Sequence, residues 1–215
     1  MKFSKLVLAS GNQGKLRELE QLLAPLNIEL ISQKQLGIAD AAEPFSTFVE
    51  NALQKARHAS RASGLPALAD DSGVCCLALH GAPGVHSARY SVEDEACVTA
   101  VSREQTDAAN NKKLISVLSG LPDKTAFYYC VLVLVKSPDD PAPMIADGHW
   151  YGEMVSVPQG QGGFGYDPYF FLPQLQLTAA QISIDQKNRI SHRAQAMGKL
   201  IDLLKHQQQE VARQP

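Results

Sequence analysis

Residues 70 to 73 read Asp-Asp-Ser-Gly and follow the short apolar run Ala67-Leu68-Ala69. Two adjacent carboxylates beside a hydroxyl can take up a proton, orient a water or hold a hard divalent cation, and that work is done at the rim of a cleft. The apolar run, bounded by Pro66 and Gly73, predicts a buried strand that ends on the carboxylates, and open α/β sheets gather their ligands beyond such strand ends. Successive strand side chains face opposite ways, so only one of the pair can aim squarely into a given cleft. Asp71, beside Ser72 and Gly73, is the expected working residue, with Asp70 bracing a loop or reaching a metal from behind. The same residues could also form an Asx-type turn that solvates a strand end.

A second stretch, Ser10-Gly11-Asn12-Gln13-Gly14-Lys15, joins the apolar segment Lys5–Ala9 to a helical pattern. In that pattern Leu16, Leu19, Leu22, Leu23 and Leu26 form the stripe, Arg17, Glu18, Glu20 and Gln21 face away, and Pro25 falls near the end. Strand, glycine turn and helix make an anion site: backbone N–H groups converge, the helix dipole is positive there, and Lys15 adds a cation. Ala9 and Leu16 stand where a Walker loop needs Gly and Ser/Thr, so the expectation is phosphate binding without a P-loop; a plain tight turn is the alternative. In Gly160-Gln161-Gly162-Gly163-Phe164-Gly165-Tyr166-Asp167-Pro168, glycines let the backbone wrap closely, Phe164 offers a flat face and Asp167 an acceptor, so a planar heterocycle could stack there. Finally, Ser191 caps a terminal helix with apolar line Ala194, Met197, Ile201 and Leu204. His192 and Arg193 fall in its first turn, where cations oppose the dipole, and Lys187 stands just upstream.

The elements that position these residues follow from the pattern. Ile28–Ser32 reads as a second strand. Thr47-Phe48-Val49-Glu50 has the form of a capping box, opening a helix that runs to about Ser63, where Gly64 and Pro66 stop it. Phe48, Ala52, Ala56 and Ala59 form its buried face, and Lys55 falls at the edge of that face near Asn51, either pointing into a cleft or laying its stem on apolar surface. Val74–Leu79 continues as a strand or hairpin arm, Glu104–Leu118 is a third helix closed by Gly120 and Pro122, and Lys124–Lys136 is the longest apolar strand. Met144–Tyr151 can pair antiparallel with it across the turn Ser137–Pro141, making the sheet mixed and placing His149 and Trp150 on sheet faces. The polar stretch Gln207–Pro215 is expected to fray.

With 215 residues, 45% hydrophobic and 20% charged, the chain can bury a proper core, and one α/β domain over residues 1–206, of two lobes, is expected. A net charge of -2 without a dense Lys/Arg run argues against nucleic acid or an anionic membrane as the main partner and leaves small ligands. Cysteines at 75, 76, 97 and 130 have neither zinc-type nor disulfide spacing and read as reduced thiols of a cytoplasmic protein. Leu6–Ala9 is too short for a signal-peptide core, and no run approaches membrane-spanning length.

Six stretches together carry a resemblance: Ser10-Gly11-Asn12-x-x-Lys15, Phe48-x-Glu50-Asn51-Ala52-x-x-Lys55-Ala56, Ala69-Asp70-Asp71-Ser72-Gly73, Pro83-Gly84-x-x-Ser87-Ala88-Arg89, Gly163-Phe164-Gly165-Tyr166-Asp167-Pro168 and Ser191-His192-Arg193. In this order, over nearly the whole chain, the sequence resembles the inosine/xanthosine triphosphate pyrophosphatase family. The resemblance implies an elongated mixed sheet flanked by helices, two lobes with a cleft between them, a homodimer, and Mg2+-dependent cleavage of purine triphosphates to monophosphate and pyrophosphate. It makes Asp71 the catalytic acceptor and a metal ligand, with Glu43 as second carboxylate. It also assigns substrate binding to Ser10, Gly11, Asn12, Gln13, Gly14, Lys15, Ser72, Phe164, Gly165, Tyr166, Asp167, Lys187, His192 and Arg193. Lys15 and Lys55 then offset triphosphate charge, and His192 and Arg193 read the 6-keto edge of the base. The chain departs from the pattern at Ala42-Glu43, where paired glutamates are frequent, and at Phe45, which replaces a usual glycine. A related septum-formation-inhibitor pyrophosphatase acting on pyrimidine or modified nucleotides, or a nucleotide sensor without turnover, are the alternatives.

Overall fold

A computed structural model of the chain describes residues 4–24, 28–92 and 102–213. Pro25, Leu26, Cys97 and the last two residues of the polar tail lie outside them. The chain runs β1 (Lys5–Leu8), α1 (Gln13–Leu23), β2 (Glu29–Ser32), α2 (Phe48–Ser63), β3 (Ala67–Cys76), α3 (Arg103–Leu118), β4 (Thr125–Val135), β5 (Met144–Met154), β6 (Phe170–Leu172), β7 (Leu177–Thr178), α4 (Ile184–Ile190) and α5 (His192–Arg213). The strands are hydrogen-bonded in the order β2-β1-β3-β4-β5-β6-β7. β1 lies parallel to β2 and β3, while β5–β6 and β6–β7 are antiparallel, so the sheet is mixed as expected. Among the described residues no helix is long and apolar enough to cross a membrane.

The residues form two compact units, Met1–Asp71 with Cys130–Gly148 and Ser191–Pro215, and Ser72–Tyr129 with His149–Ile190. In the first unit, Leu6, Leu8, Leu68, Cys130, Leu132 and Leu134 share one core with Leu16, Leu19 and Leu23 of α1 and Ala196, Met197, Leu200 and Leu204 of α5. The intervening strand residues Val7, Ala67, Ala69, Val131 and Val133 are equally buried and point to the opposite face by the period of two. There α2, packed on β1, presents Ala52, Ala56 and Ala59. Thr47 caps α2 and Gly64 ends it in the left-handed conformation, as its sequence predicts. Gly148 of β5 sets how closely α5 approaches, because a Cβ there would lie 2.1 Å from the His192 carbonyl oxygen. The buried line of α5 is Ala196, Met197, Leu200 and Leu204, with Ala194 half-buried, so it is rotated from the expected one. α5 is helical through Arg213, past Gln207.

In the second unit, Val74, Cys76, Leu114, Leu118, Tyr128, Trp150, Tyr166, Phe170 and Leu172 form the core. Trp150 packs on Tyr128 and Phe170, and His149 lies among Phe127, Tyr129 and Tyr151, so both are sheet-face residues as expected.

Two further expectations are corrected. β3 does not stop at the carboxylates; it continues to Cys76, with Asp70 and Asp71 in mid-strand. Gly73 allows this, since a Cβ there would sit 2.3 Å from the Gly84 carbonyl oxygen and clash with Ser87, whose hydroxyl accepts the Val74 N–H at 3.0 Å. The second correction is Glu18, which the helical stripe places in solvent but which is only 4% exposed. Glu18 shares a face with Lys15 three residues earlier, and its carboxylate is met by Arg193 of α5.

Candidate active site

Asp71 projects from β3 toward α2, where Lys55 Nζ lies 3.0 Å from its Oδ1 and 2.9 Å from Glu43 Oε1. One ammonium therefore bridges two carboxylates. Burial disfavours the Lys55 charge, but Asp71, Asp70 and Glu43 outweigh it and hold the lysine protonated more firmly than a free one. Burial acts the other way on Asp71, raising its carboxyl above the usual range despite Lys55 and Lys15. Asp71 Oδ2 is buried without a hydrogen-bond partner among the described residues. An orphaned carboxylate oxygen is costly in a core and suits an atom that must receive something: a water's proton or a hard cation. Among the described residues no three His, Cys, Asp or Glu side chains form a closed metal cage. A hard divalent cation that keeps its waters does not need one, because one or two protein carboxylates suffice, which Asp71 and Glu43 can supply.

Glu43 is placed by its loop rather than by an element. Asn51, fully buried on α2, grips residue 45: its Oδ1 accepts the Phe45 N–H and its Nδ2 donates to the Phe45 carbonyl, both at 3.0 Å. The side chain at position 45 is exposed, so this backbone grip is indifferent to the Phe that stands there.

On the other face of β3, Asp70 Oδ2 meets Lys15 Nζ at 3.2 Å and Arg193 Nη2 at 3.1 Å, and Arg193 Nη1 donates to Glu18. Burial alone would raise the Asp70 carboxyl; Lys15 and Arg193 outweigh it and hold it well below the usual carboxylate range. Arg193 is 1% exposed, and Asp70 and Glu18 keep it charged against the cost of burial. Asp70 Oδ2 is thus shared by two cations, and Arg193 lies buried between Asp70 and Glu18. His192 is likewise buried, at the tight contact between α5 and Gly148.

The Ser10–Lys15 segment leads into α1 as expected, yet three of its amides are already engaged. Asn12 Oδ1 accepts from Gly14 N–H at 2.9 Å and Lys15 N–H at 3.3 Å, and Ser10 Oγ accepts from Asn12 N–H at 3.2 Å. An incoming phosphate would compete with the Asn12 cap. Asp40, which Gln33 hydrogen-bonds, lies against Gly11 so closely that a Cβ there would be 2.8 Å from its Oδ2.

In the second unit, the Gly163–Asp167 loop closes on Asp167. Its Oδ2 accepts the Phe164 N–H at 2.9 Å and pairs with Lys187 Nζ at 2.6 Å, and Tyr128 OH donates to Oδ1 at 3.2 Å. Gly163, at φ +73°, has its would-be Cβ 2.0 Å from Asp167 Oδ2, so only glycine serves there. Lys187 Nζ stands 4.8 Å from the centroid of the half-buried Phe164 ring. Tyr166 belongs to the core, its hydroxyl donating to Ser87 O at 2.8 Å, and Gly165 lies between these two rings. Ser72, on β3 beside Asp71, is half-buried. Gln13 is the first residue of α1. Sequence reasoning missed Glu18, Asp40, the grip of Asn51 and Tyr128. Only Glu18 left a signal, its shared helix face with Lys15.

Residues 6–203 match the model of the Ham1 family. In sequence the chain is similar to the dITP/XTP pyrophosphatase of Nitrosomonas europaea, 55% identical over 201 residues and covering 94% of each chain. It is 56% identical to that of Bordetella parapertussis, covering 94% of this chain and 91% of that one. In structure it is similar to a HAM1 protein from Coxiella burnetii, with a TM-score of 0.83, 44% identity, and coverage of 94% of this chain and 98% of that one. A mid-strand carboxylate pair held by lysines, an Asn-capped glycine turn and a glycine loop closed on Asp167 thus occur in a chain that belongs to the Ham1 family.

Proposed function

We propose that the chain hydrolyses non-standard purine nucleoside triphosphates (dITP, ITP and XTP) to the monophosphate and pyrophosphate. The observation that carries this is the Asp71–Lys55–Glu43 group: a buried carboxylate with one oxygen fixed by a lysine and the other without a hydrogen-bond partner among the described residues, beside a second carboxylate. The names of the relatives support the same reading. Asp71 orients the attacking water at the α-phosphorus and takes its proton, while Lys55 holds Asp71 in place and offsets phosphate charge. Asp71 and Glu43 are the residues that would hold Mg2+, which when bound neutralises charge on the phosphate oxygens. Ser10 to Lys15 bind phosphate, Lys15 exchanging its contact with Asp70 for the substrate.

Phe164 stacks on the base, and Lys187, which Asp167 holds over one side of that ring, donates to a 6-keto oxygen. The amino group of adenine would present a donor to this donor, and a site built on such hydrogen bonds can reject the wrong analogue by about four orders of magnitude. A further part of the reading is a homodimer in the cytoplasm. Half-exposed aromatic residues around His149, including Tyr151 at 59% exposure, give a self-association face, and Cys75, Cys76 and Cys130 are free thiols, as a reducing compartment favours. Sedimentation at twice the 23.3 kDa chain mass is the expected result for the dimer.

The function is tested with a panel of triphosphates, with and without Mg2+, resolving pyrophosphate from orthophosphate. ITP, dITP and XTP should release pyrophosphate far faster than ATP or GTP. Preference for a pyrimidine triphosphate, or tight binding without turnover, would replace this reading with a pyrimidine-directed pyrophosphatase or a sensor.

A further inference from the structure

The loop that carries Phe164 is held from outside itself. Gly165 has φ +63°, and both polar groups of this one residue are met from α3. Its N–H donates to Asp107 Oδ2 at 3.2 Å, and its carbonyl accepts from Asn111 Nδ2 at 2.9 Å. The two side chains stand one turn apart on the same helix face. They also brace each other: Asn111 Nδ2 donates to the Asp107 carbonyl at 2.9 Å, and Asp107 Oδ1 pairs with Arg103 Nε at 3.2 Å.

The orientation of the Asn111 amide is fixed by chemistry, since both groups facing its nitrogen are carbonyl oxygens and a flipped amide would oppose acceptor to acceptor. Its Oδ1 is buried with no hydrogen-bond partner among the described residues. An apolar side chain of similar size would avoid that cost, so the asparagine is accounted for by what its nitrogen holds. The residues flanking Gly165 show what the grip controls. Tyr166 is anchored in the core through its hydroxyl, and the Phe164 N–H is fixed by Asp167. The Gly165 peptide is the link between these two anchors.

We propose that Asp107 and Asn111 are positioning residues for base capture: by clamping the Gly165 peptide they hold Phe164 and the Asp167–Lys187 pair in the geometry that receives a purine. They touch no substrate, and the inference rests on the reading of Phe164 and Lys187 as the base site. A residue that prepares a binding surface acts on substrate capture more than on the chemical step.

The test uses the full chain carrying Asp107→Ala, Asp107→Asn or Asn111→Leu, with ITP as substrate and inorganic triphosphate as a base-free competitor. Asp107→Ala is expected to raise KM for ITP about tenfold with kcat reduced less than about threefold. Inhibition by inorganic triphosphate should be unchanged, because that probe has no base, and amide exchange over residues 163–167 should quicken. Asp107→Asn keeps an oxygen that can accept the Gly165 N–H and should restore most of the KM, while Asn111→Leu should behave as Asp107→Ala does. An unaltered KM and exchange rate in Asp107→Ala overturns the proposal. So does a parallel loss of kcat, triphosphate inhibition and melting temperature, which would mark a general structural role. Absence of ITP turnover by the wild type defeats the functional reading instead, and the exchange measurement then still decides whether α3 clamps the loop.

Discussion

Asp71→Asn is expected to lower kcat on the order of a thousandfold while leaving the fold standing. The substitution keeps size, shape and an oxygen that can accept from Lys55, and it removes only the negative charge. Lys55 retains Glu43 at 2.9 Å, so no buried cation is stranded, and stability should shift by no more than about 1 kcal/mol. Because burial already disfavours the ionised form of Asp71, the charge is there at a cost to the fold. Such a cost is accepted where the charge performs chemistry. The measurement is pyrophosphate release at saturating ITP beside thermal unfolding of the same preparation. A kcat within tenfold of wild type would remove Asp71 from the chemistry and leave it as half of a structural ion pair.

Arg193→Ala should act in the opposite sense, on the fold first. Its guanidinium is met by Asp70 on β3 and Glu18 on α1, and Lys15 also pairs with Asp70. Removing it leaves two carboxylates in an environment that water does not reach, and breaking a buried pair in this way costs about 3–5 kcal/mol. The expected observation is a large fall in the urea midpoint with an unchanged slope, and an unaltered preference for ITP over ATP in the protein that remains folded. A cost below about 1 kcal/mol together with lost base preference would return Arg193 to the role of base reader that the family resemblance implies.

That contrast shows where the sequence is legible. Local rules find α1 and the glycine turn before it, the Thr47 cap and Gly64 stop of α2, the turn after β4 and the aromatic loop, because each is written within a few neighbouring residues. Lys55 stands out by its odd position on a helix face and Asp71 by the adjacency of two carboxylates, and the two meet in an ion pair at 3.0 Å. What escaped depends on partners distant in the chain. Arg193 is 123 residues from Asp70 and 175 from Glu18, and Gly165 is 58 from Asp107. Whether a charge in the first turn of a helix faces a ligand or a buried counter-ion is decided by those partners and by no local pattern. The strand end wrongly expected at Asp71 has the same origin: two mid-strand carboxylates are tolerable only where lysines and an arginine await them on either side.

The alternation of Asp70 and Asp71 on β3 also bears on how such a gene can change. Adjacent strand residues face opposite ways, so gaining or losing one codon between the start of β3 and Asp70 would turn each carboxylate to the other side. Asp71 would face the Lys15 and Arg193 side, Asp70 would meet Lys55, and a neighbouring alanine or serine would come into play. The length of this stretch is therefore under the same selection as its letters, and in-frame insertions should survive in the connections between elements but not here.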